Sequence, residues 1–320
     1  MDKRDLKIII ELDKNPRESY SIIGKRVGIS KQAIKSRIDN LISTNVITTF
    51  ITFSNMNALG IIATKIFFSF QDLSHSKKQE IITFLKNEKI VGGLMIFEGH
   101  YDLFTGIMAQ NQLDLDDFIS RFYNKYSNHI KEKKIVTLAD SAVFPRGYLD
   151  EKKIKPYTKP KHFFVHPINR VELKLNDYKI LGILTSNPLI SWTDISRQTK
   201  IPLQTVISRY KFMEKNGVID GFGILLNEAI FVSYVLMVEL NNLSEDTRNS
   251  IMRFAKGHPN FILAVRIVGE WNYEFGIEGV NLQECLKAID DFKKEFSHVI
   301  RSYVPLLLTK VEKMQNYKAN

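Results

Sequence analysis

The sequence predicts an α+β protein in which one two-part unit occurs twice. Residues 5–47 align without a gap on residues 177–219, and 14 of the 43 aligned pairs are identical, which indicates an internal duplication. The similarity continues at an offset of 170 residues, where "EGHYDLFTGI" (98–107) matches "GEWNYEFGI" (269–277). At 320 residues the chain is also longer than a single hydrophobic core usually supports. We therefore expect two equivalent halves.

The first part of each unit reads as three helices followed by a strand. Apolar residues at helical spacing predict a helix over 4–13, "SIIGKRV" predicts a short second helix, and a third runs from about Lys31 to Ser43. Gly28 suits the positive φ of a tight turn, and Ser30 is a good N-cap. "NVITTFITF" then alternates like a strand. This order predicts a winged helix-turn-helix, and the second copy differs in having Pro202 in place of Ser30.

The second part of each unit follows the order βαββαβ, which predicts a ferredoxin-like αβ-sandwich with two helices on one face of an antiparallel sheet. The predicted elements are strand 65–70, helix 75–88, strand 90–97, strand 101–108, helix 113–127 and strand 130–143, then strand 233–240, helix 244–257, strand 260–268, strand 271–279, helix 281–296 and strand 299–312. The other face of each sheet is apolar. We therefore expect the two sandwiches to pair, either within the chain or between chains.

The predicted architecture is thus two winged helix-turn-helix domains and two ferredoxin-like domains in tandem order. The predicted bounds are 1–50 for the first helix-turn-helix, 51–144 for the first sandwich, 145–174 for a Lys/Pro-rich linker, 175–222 for the second helix-turn-helix and 223–320 for the second sandwich. The linker contains four prolines, so we expect it to be partly extended. Its apolar patch of Phe163, Phe164 and Val165 predicts that part of it docks on the protein.

Composition and charge favour a protein with an anionic partner. The net charge is +10, of which +4 lies in residues 1–50 and +5 in residues 145–176, whereas the sandwich regions are close to neutral. No apolar run has the roughly 18 residues of a membrane span, so we expect a cytoplasmic protein without a membrane partner. Cys285 is the one cysteine, which excludes an internal disulfide and a multi-thiolate metal site, and its apolar flanks predict a buried thiol.

The order of these motifs resembles the Lrp/AsnC (feast/famine) family of prokaryotic transcription regulators. The helix-turn-helix stretch that contains "GISKQAIKSRIDNLI" (28–42) is similar to the family's N-terminal signature, and "GHYDLFTGI" is similar to its Gly-x-Tyr-Asp motif. The resemblance covers nearly the whole chain except the linker. It implies winged helices that bind duplex DNA and sandwiches that dimerise sheet against sheet. It also implies a small effector, such as an amino acid, bound at subunit interfaces.

The third helix supplies the candidate DNA-reading face. A recognition helix reads base edges with residues near its N-terminus, whereas Arg and Lys of the preceding helix more naturally meet phosphates. The candidate DNA-binding residues are Lys25, Arg26, Ser30, Lys31, Gln32, Lys35, Ser36 and Arg37 in the first copy and Gln204, Ser208, Arg209 and Lys211 in the second. Arg37 and Arg209 recur in both copies, which fits either packing or a phosphate contact. Leu203 and Ile207 replace the two lysines of the first copy, so we expect the first half to read DNA and the second to position it or to contact a protein.

The glycine-containing motifs of the sandwiches supply the candidate effector site. Asp102, Asn272 and Glu274 could bind the amino group of an effector, although Asp102 could equally be a solvated turn residue. The residues assigned to this site are Gly99, Tyr101 and Asp102 in the first copy and Gly269, Asn272 and Glu274 in the second. Asn272 stands where the family has aspartate, which puts recognition of an amino acid by the second copy in doubt.

Two other classes of function stay open at this point. Siroheme decarboxylases resemble this family in fold, and such an enzyme would use basic and His side chains in the sandwich; His100 is in the right motif, but its counterpart is Glu270. A third class is an architectural protein whose helix-turn-helix units dock other proteins. His162 and His166 have the i, i+4 spacing of metal ligands on a helix, but the flanking prolines argue against a helix there, and no third ligand is evident. We therefore expect no metal site, and we also expect no catalytic residue and no cofactor.

Overall fold

The computed structural model describes residues 1–150, 161–162 and 165–314 of the chain. Within these ranges the predicted order of elements is confirmed in both halves. None of the helices in the described ranges combines the length and the apolar character needed to cross a membrane. Cys285 is buried as expected; its Sγ donates to the carbonyl of Val232, and burial raises the pKa of its thiol to about 12.

Each helix-turn-helix unit consists of three helices and one strand. They are α1 (Lys3–Lys14), α2 (Tyr20–Val27), α3 (Lys31–Ser43) and β1 (Ile47–Ser54) in the first half, and α7 (Leu175–Ser186), α8 (Trp192–Thr199), α9 (Leu203–Lys215) and β6 (Ile219–Leu226) in the second. Gly28 has a φ of 80°, and the Ser30 side chain accepts a hydrogen bond from the Ala33 N–H, as the sequence predicts. Pro202 occupies the N-cap of α9 without a side-chain hydrogen bond.

Each sandwich contains four strands and two long helices. In the first half they are β2 (Ile62–Phe70), α5 (His75–Asn87), β3 (Val91–Glu98), β4 (Leu103–Ala109), α6 (Gln112–Tyr126) and β5 (Ile130–Val143). In the second half they are β7 (Val232–Leu240), α10 (Glu245–Gly257), β8 (Phe261–Val268), β9 (Tyr273–Gly279), α11 (Leu282–Glu295) and β10 (Ile300–Met314). A one-turn helix, α4 (Met56–Leu59), precedes β2 and was not predicted.

The two sandwiches share one closed barrel within the chain. Its strand order is β10-β3-β4-β2-β5-β8-β9-β7. Two antiparallel strand pairings join the halves. The C-terminal part of β5 pairs with β8, and the C-terminal part of β10 pairs with β3. The two last strands are long, at 14 and 15 residues, because each pairs first in its own half and then in the other. The closed barrel therefore joins the two halves by backbone hydrogen bonds.

The strands of the helix-turn-helix units also pair with each other. β1 and β6 form a separate two-stranded antiparallel sheet that extends from Ile47 opposite Leu226 to Ser54 opposite Ile219. The bounds predicted after residues 50 and 222 fall inside these two strands. Each strand thus continues from a helix-turn-helix unit towards its sandwich, and the pair holds the two units side by side.

The barrel interior is lined with aromatic residues from both halves. Phe67 lies within 5.7 Å of the ring centroids of Tyr101, Phe104 and Trp271, and Tyr101 contacts Trp271 edge-on. Tyr101 and Trp271 occupy equivalent positions of the duplicated motif. Burying such rings contributes much of the stabilisation of a core, and edge-on pairs add about 0.5–1.5 kcal/mol each. The apolar faces of the two sheets, which the sequence indicated, therefore cover each other.

One ion pair lies inside this apolar barrel. The ammonium group of Lys65 on β2 lies 2.5 and 2.7 Å from the two carboxylate oxygens of Glu274 on β9, and both side chains are less than a tenth exposed. The same ammonium lies 4.6 Å from the ring centroid of Phe104. Glu274 is therefore held by the other half of the chain.

A second buried cluster joins the first helix-turn-helix unit to the barrel. The guanidinium of Arg146 contacts the carboxylate of Asp13 on α1, and its Nε donates to Glu278 on β9 at 2.7 Å. The Tyr148 hydroxyl donates to the same glutamate. Burial by itself would lower the pKa of Arg146, but Glu278 and Asp13 raise it well above its usual value, so the guanidinium stays charged.

The described part of the linker docks on the protein, as the patch in the sequence predicts. Val165 is fully buried, and Lys161 forms an isolated bridge with Val143 at the end of β5. The Lys161 ammonium donates to the carbonyls of Asp13, Lys14 and Phe222, and burial lowers its pKa to about 8. Phe163 and Phe164, also part of the predicted patch, lie outside the described residues.

Candidate nucleic-acid interface

The polar face of α3 is exposed along its first two turns. Ile34, Ile38 and Leu41 are buried against the rest of the unit. On the opposite side four side chains point outward, as the sequence predicts: Lys31, Gln32, Lys35 and Ser36. Lys35 lies 4.0 Å from Asp39, and both are more than half exposed, so this contact is weak. The N-terminal half of α3 therefore presents two amines, an amide and a hydroxyl to solvent.

The second helix, α2, carries one exposed lysine and one arginine that is held in ion pairs. Lys25 is exposed at the C-terminal end of α2. Arg26 lies 2.7 Å from Glu11 and 3.6 Å from Glu18, while half of its side chain stays exposed. The carboxylates reduce the net charge that Arg26 would offer to a phosphate. Lys25 is thus the stronger candidate for a backbone contact from this helix.

Arg37 and Arg209 join helices within their own units. Arg37 donates to Asp5 at 2.7 Å and to Asp2 at 2.9 Å, and Arg209 makes two bonds of 2.5 Å to Asp177. Asp5 and Asp177 are equivalent positions of the duplication, so both copies use the same pair to tie the first helix to the third. Of the two roles that the sequence left open for these arginines, the structure supports packing.

The second unit presents a weaker face. Gln204, Ser208 and Lys211 are exposed on α9, and Leu203 is exposed in place of the first lysine of α3. Ile207 is only partly exposed and replaces the second lysine. The two recognition-type helices therefore share the amide and the hydroxyl but differ in charge.

An arginine clamps the two units together. The Arg17 guanidinium, which follows α1, donates to the carbonyls of Pro188 and Ile190 in the turn before α8. It also lies 4.1 Å from the ring centroid of Trp192 and 5.0 Å from that of Phe222. Because the β1–β6 sheet joins the same units, α3 and α9 are held in one relative orientation.

The effector motifs are engaged in holding the fold. Asp102 accepts a hydrogen bond from the Phe70 N–H at 2.7 Å, and Asn272 accepts the equivalent bond from the Leu240 N–H, also at 2.7 Å. Only an acceptor oxygen is needed at this place, which explains why asparagine can replace aspartate in the second copy. Gly99 and Gly269 have φ of 140° and 152°, which other residues rarely adopt. Asp102 lies in the turn between β3 and β4, as one reading of the sequence has it, but it is half-buried and bonded to the Phe70 N–H.

Tyr101 and Glu274, the other two residues of the candidate effector site, face the interior. Tyr101 is 2% exposed; burial raises the pKa of its hydroxyl, which donates to Glu132 at 3.2 Å. Glu274 is bound to Lys65, as described above. His100 is exposed and lies 3.0 Å from Glu132 on β5. Its counterpart Glu270 pairs with Lys134, which also lies on β5. His100 therefore lies on the surface of the barrel.

A histidine cluster corrects one prediction made from the sequence. His162 and His166 are not on a helix, as their flanking prolines indicated, yet their rings stack with centroids 3.8 Å apart. Asp140 on β5 joins them, and the three residues offer ligand atoms within 4.8 Å of one another. The expectation that the two histidines lack a third ligand is therefore wrong. Asp140 could not be selected from the sequence, because it precedes the two histidines by more than 20 residues.

Known proteins resemble this chain in parts and as a whole. The family model for winged helix-turn-helix DNA-binding domains matches residues 1–48 and 173–220. The HTH-type transcriptional regulator LrpA of Pyrococcus horikoshii is 31% identical over 126 residues, which cover 39% of this chain and 87% of that protein. A regulator of Mycobacterium tuberculosis is 37% identical over 60 residues, 19% of this chain, and the match spans only 40% of that relative's length. The crystal structure of the siroheme decarboxylase NirDL covers 99% of this chain and 94% of its own, with a TM-score of 0.61 and 15% identity, which shows a common fold.

Proposed function

Since the chain belongs to the Lrp/AsnC family of helix-turn-helix regulators, we propose that it binds double-stranded DNA through α3 and thereby regulates transcription. The observation that carries the proposal is the exposed face of Lys31, Gln32, Lys35 and Ser36 at the start of the third helix of a winged helix-turn-helix. An α-helix fits the major groove, and residues near its N-terminus reach the base edges. Amide groups recognise adenine, and amines recognise guanine or phosphate.

The two units have different roles in this proposal. The first reads bases through α3, and the second adds contacts through Gln204, Ser208 and Lys211. The exposed Leu203 and the loss of both lysines support a positioning role for α9, or a role in docking a protein. The Arg17 clamp and the β1–β6 sheet hold the two units in one orientation, which supports recognition of a single fixed site.

An amino-acid-like effector is a further part of the proposal, but it uses other contacts than the sequence suggests. The side-chain oxygens of Asp102 and Asn272 accept bonds from strand N–H groups, and Glu274 is paired inside the barrel. These contacts take up one side-chain oxygen each of Asp102 and Asn272 and both carboxylate oxygens of Glu274. Titration of amino acids against DNA affinity tests whether an effector binds.

The alternative function is that of a siroheme decarboxylase-like enzyme, because the fold matches NirDL over almost the full length. His100, the residue that would transfer protons, is exposed and paired with Glu132 on the surface of the barrel, which favours the regulator. Mixing the purified protein with siroheme separates the two functions. A shifted absorption spectrum with stoichiometric binding would support the enzyme.

The salt dependence of DNA binding tests the proposal. In fluorescence anisotropy titrations with duplex DNA, we expect a Kd below about 10⁻⁴ M at low salt and a fall in log K of about 0.9 per phosphate contact against log salt. The double variant Lys31→Gln/Lys35→Gln should bind more weakly and lower that slope by up to about 2, because it removes two cations from α3.

A matched control is available on α11. Lys287 and Lys294 are about three-quarters exposed there, so the variant Lys287→Gln/Lys294→Gln removes the same charge from a different surface. We expect it to change DNA affinity little. Equal loss of affinity in the two double variants would mean that binding follows net charge and not α3.

A second prediction separates reading of bases from positioning on the backbone. Gln32→Ala should change which sequences are preferred, with a loss of about 1–3 kcal/mol at the recognised base, because the amide can contact a base edge. Lys25→Ala should weaken binding to all sequences alike. Selection of bound genomic fragments followed by affinity measurements on preferred and scrambled duplexes checks both. Uniform losses from both changes would show that α3 does not read bases.

A further inference from the structure

The described linker residues are fixed against β5 from two sides. The Ser141 N–H and hydroxyl both donate to the Val165 carbonyl, at 3.0 and 2.7 Å. The backbone of His166 is held by Asn55, which accepts from its N–H at 3.2 Å and donates to its carbonyl at 3.1 Å. Asn57 donates to the same carbonyl. His166 is thus placed by the first half of the chain.

The geometry of the histidine cluster suits a shared ion. Asp140 Oδ1 lies 3.4 Å from His166 Nδ1, and each of the three residues offers one ligand atom within 4.8 Å of the others. Donor atoms that bind one tetrahedral ion at about 2.0–2.2 Å lie about 3.3–3.6 Å from each other. The three side chains are partly buried, so a bound ion would be partly shielded from solvent.

The hydrogen bonds around His162 leave it ready to bind a cation. Its Nδ1 lies 2.5 Å from the Ser141 carbonyl, which can only accept, so this nitrogen carries the proton and Nε2 keeps its lone pair in the neutral ring. Histidines that bind metals usually donate their other ring N–H to a carbonyl or carboxylate in this way.

We propose that Asp140, His162 and His166 form a binding site for a divalent transition-metal ion, with Zn²⁺ as the ion to test. Two imidazoles and one carboxylate suit Zn²⁺ and its neighbours in the first transition row, and three protein ligands leave a position open to water. The site joins β5 of the barrel to the segment that leads into α7. A bound ion would fasten the second helix-turn-helix unit to the barrel. This proposal does not depend on whether that unit contacts DNA.

Zinc binding to the metal-free full chain tests this proposal. Isothermal titration with ZnCl₂ is expected to give one ion per chain, and His166→Ala should weaken the affinity at least about 100-fold because it removes a ligand. His75→Ala is the matched control, since His75 is exposed at the start of α5, and it should leave the affinity unchanged. Absence of stoichiometric binding, or equal affinity in His166→Ala and the parent protein, would overturn the proposal.

A spectroscopic measurement guards against misfolded variants. Co²⁺ added to the unmodified chain should give visible d–d absorption that one equivalent of Zn²⁺ abolishes. Asp140→Asn, which keeps the shape of the side chain, should reduce that absorption while the far-ultraviolet circular dichroism stays the same. A Co²⁺ spectrum typical of the hexaaqua ion, without protein ligands, would contradict the site.

Discussion

Replacing Glu274 with leucine is expected to lower the free energy of unfolding by about 3–5 kcal/mol. The change leaves the Lys65 ammonium without its carboxylate inside an apolar barrel, where it is only 6% exposed. An uncompensated buried charge is among the most destabilising single defects, because neither water nor a counter-ion replaces the lost contacts. Urea denaturation followed by circular dichroism measures the loss.

The double variant Lys65→Met/Glu274→Leu should recover most of that stability. Removing both charges leaves two apolar side chains in an apolar environment, and such replacements are often neutral or stabilising. Glu295→Leu is the control for adding a leucine, because Glu295 is exposed on α11 and its replacement should change stability by less than about 0.5 kcal/mol. If the double variant were as unstable as Glu274→Leu, the unpaired Lys65 ammonium would not be the cause of the lost stability.

Replacing Arg146 with methionine is expected to cost a similar 3–5 kcal/mol. The guanidinium lies between Asp13 of α1 and Glu278 of β9, and all three side chains are nearly buried. Without it, two carboxylates face each other across the contact between the first helix-turn-helix unit and the barrel. Chemical denaturation should show the loss, and Arg121→Met, at a half-exposed arginine, should show little.

The sequence predicts the order of elements well because each half carries strong local signals. Helical spacing and the Ser30 cap locate α3 correctly, and the predicted strand 130–143 coincides with β5. The duplication reinforces these signals, since both copies carry the same pattern. The short helix α4 was missed because four residues do not establish a period.

The contacts between the halves could not be predicted from local patterns. The sequence did not single out Lys65, and it assigned Glu274 to the effector site; only closure of the barrel brings the two together in the interior. Arg17 has no counterpart in the second copy, where Leu189 stands, so the repeat gave no reason to select it. Similarly, an Asp in a glycine motif looks the same whether it binds a ligand or the Phe70 N–H of its own chain.

The ion pair between Lys65 and Glu274 distinguishes the two halves from each other. The positions equivalent to Lys65 and Glu274 in the opposite halves are Val235 and Phe104, which carry no charge. A barrel assembled from two first halves would enclose two lysines and no acid, and one from two second halves would enclose two glutamates and no base. Neither assembly could neutralise its interior. The ion pair therefore requires one copy of each half, which favours a barrel built from two different halves over one built from identical halves.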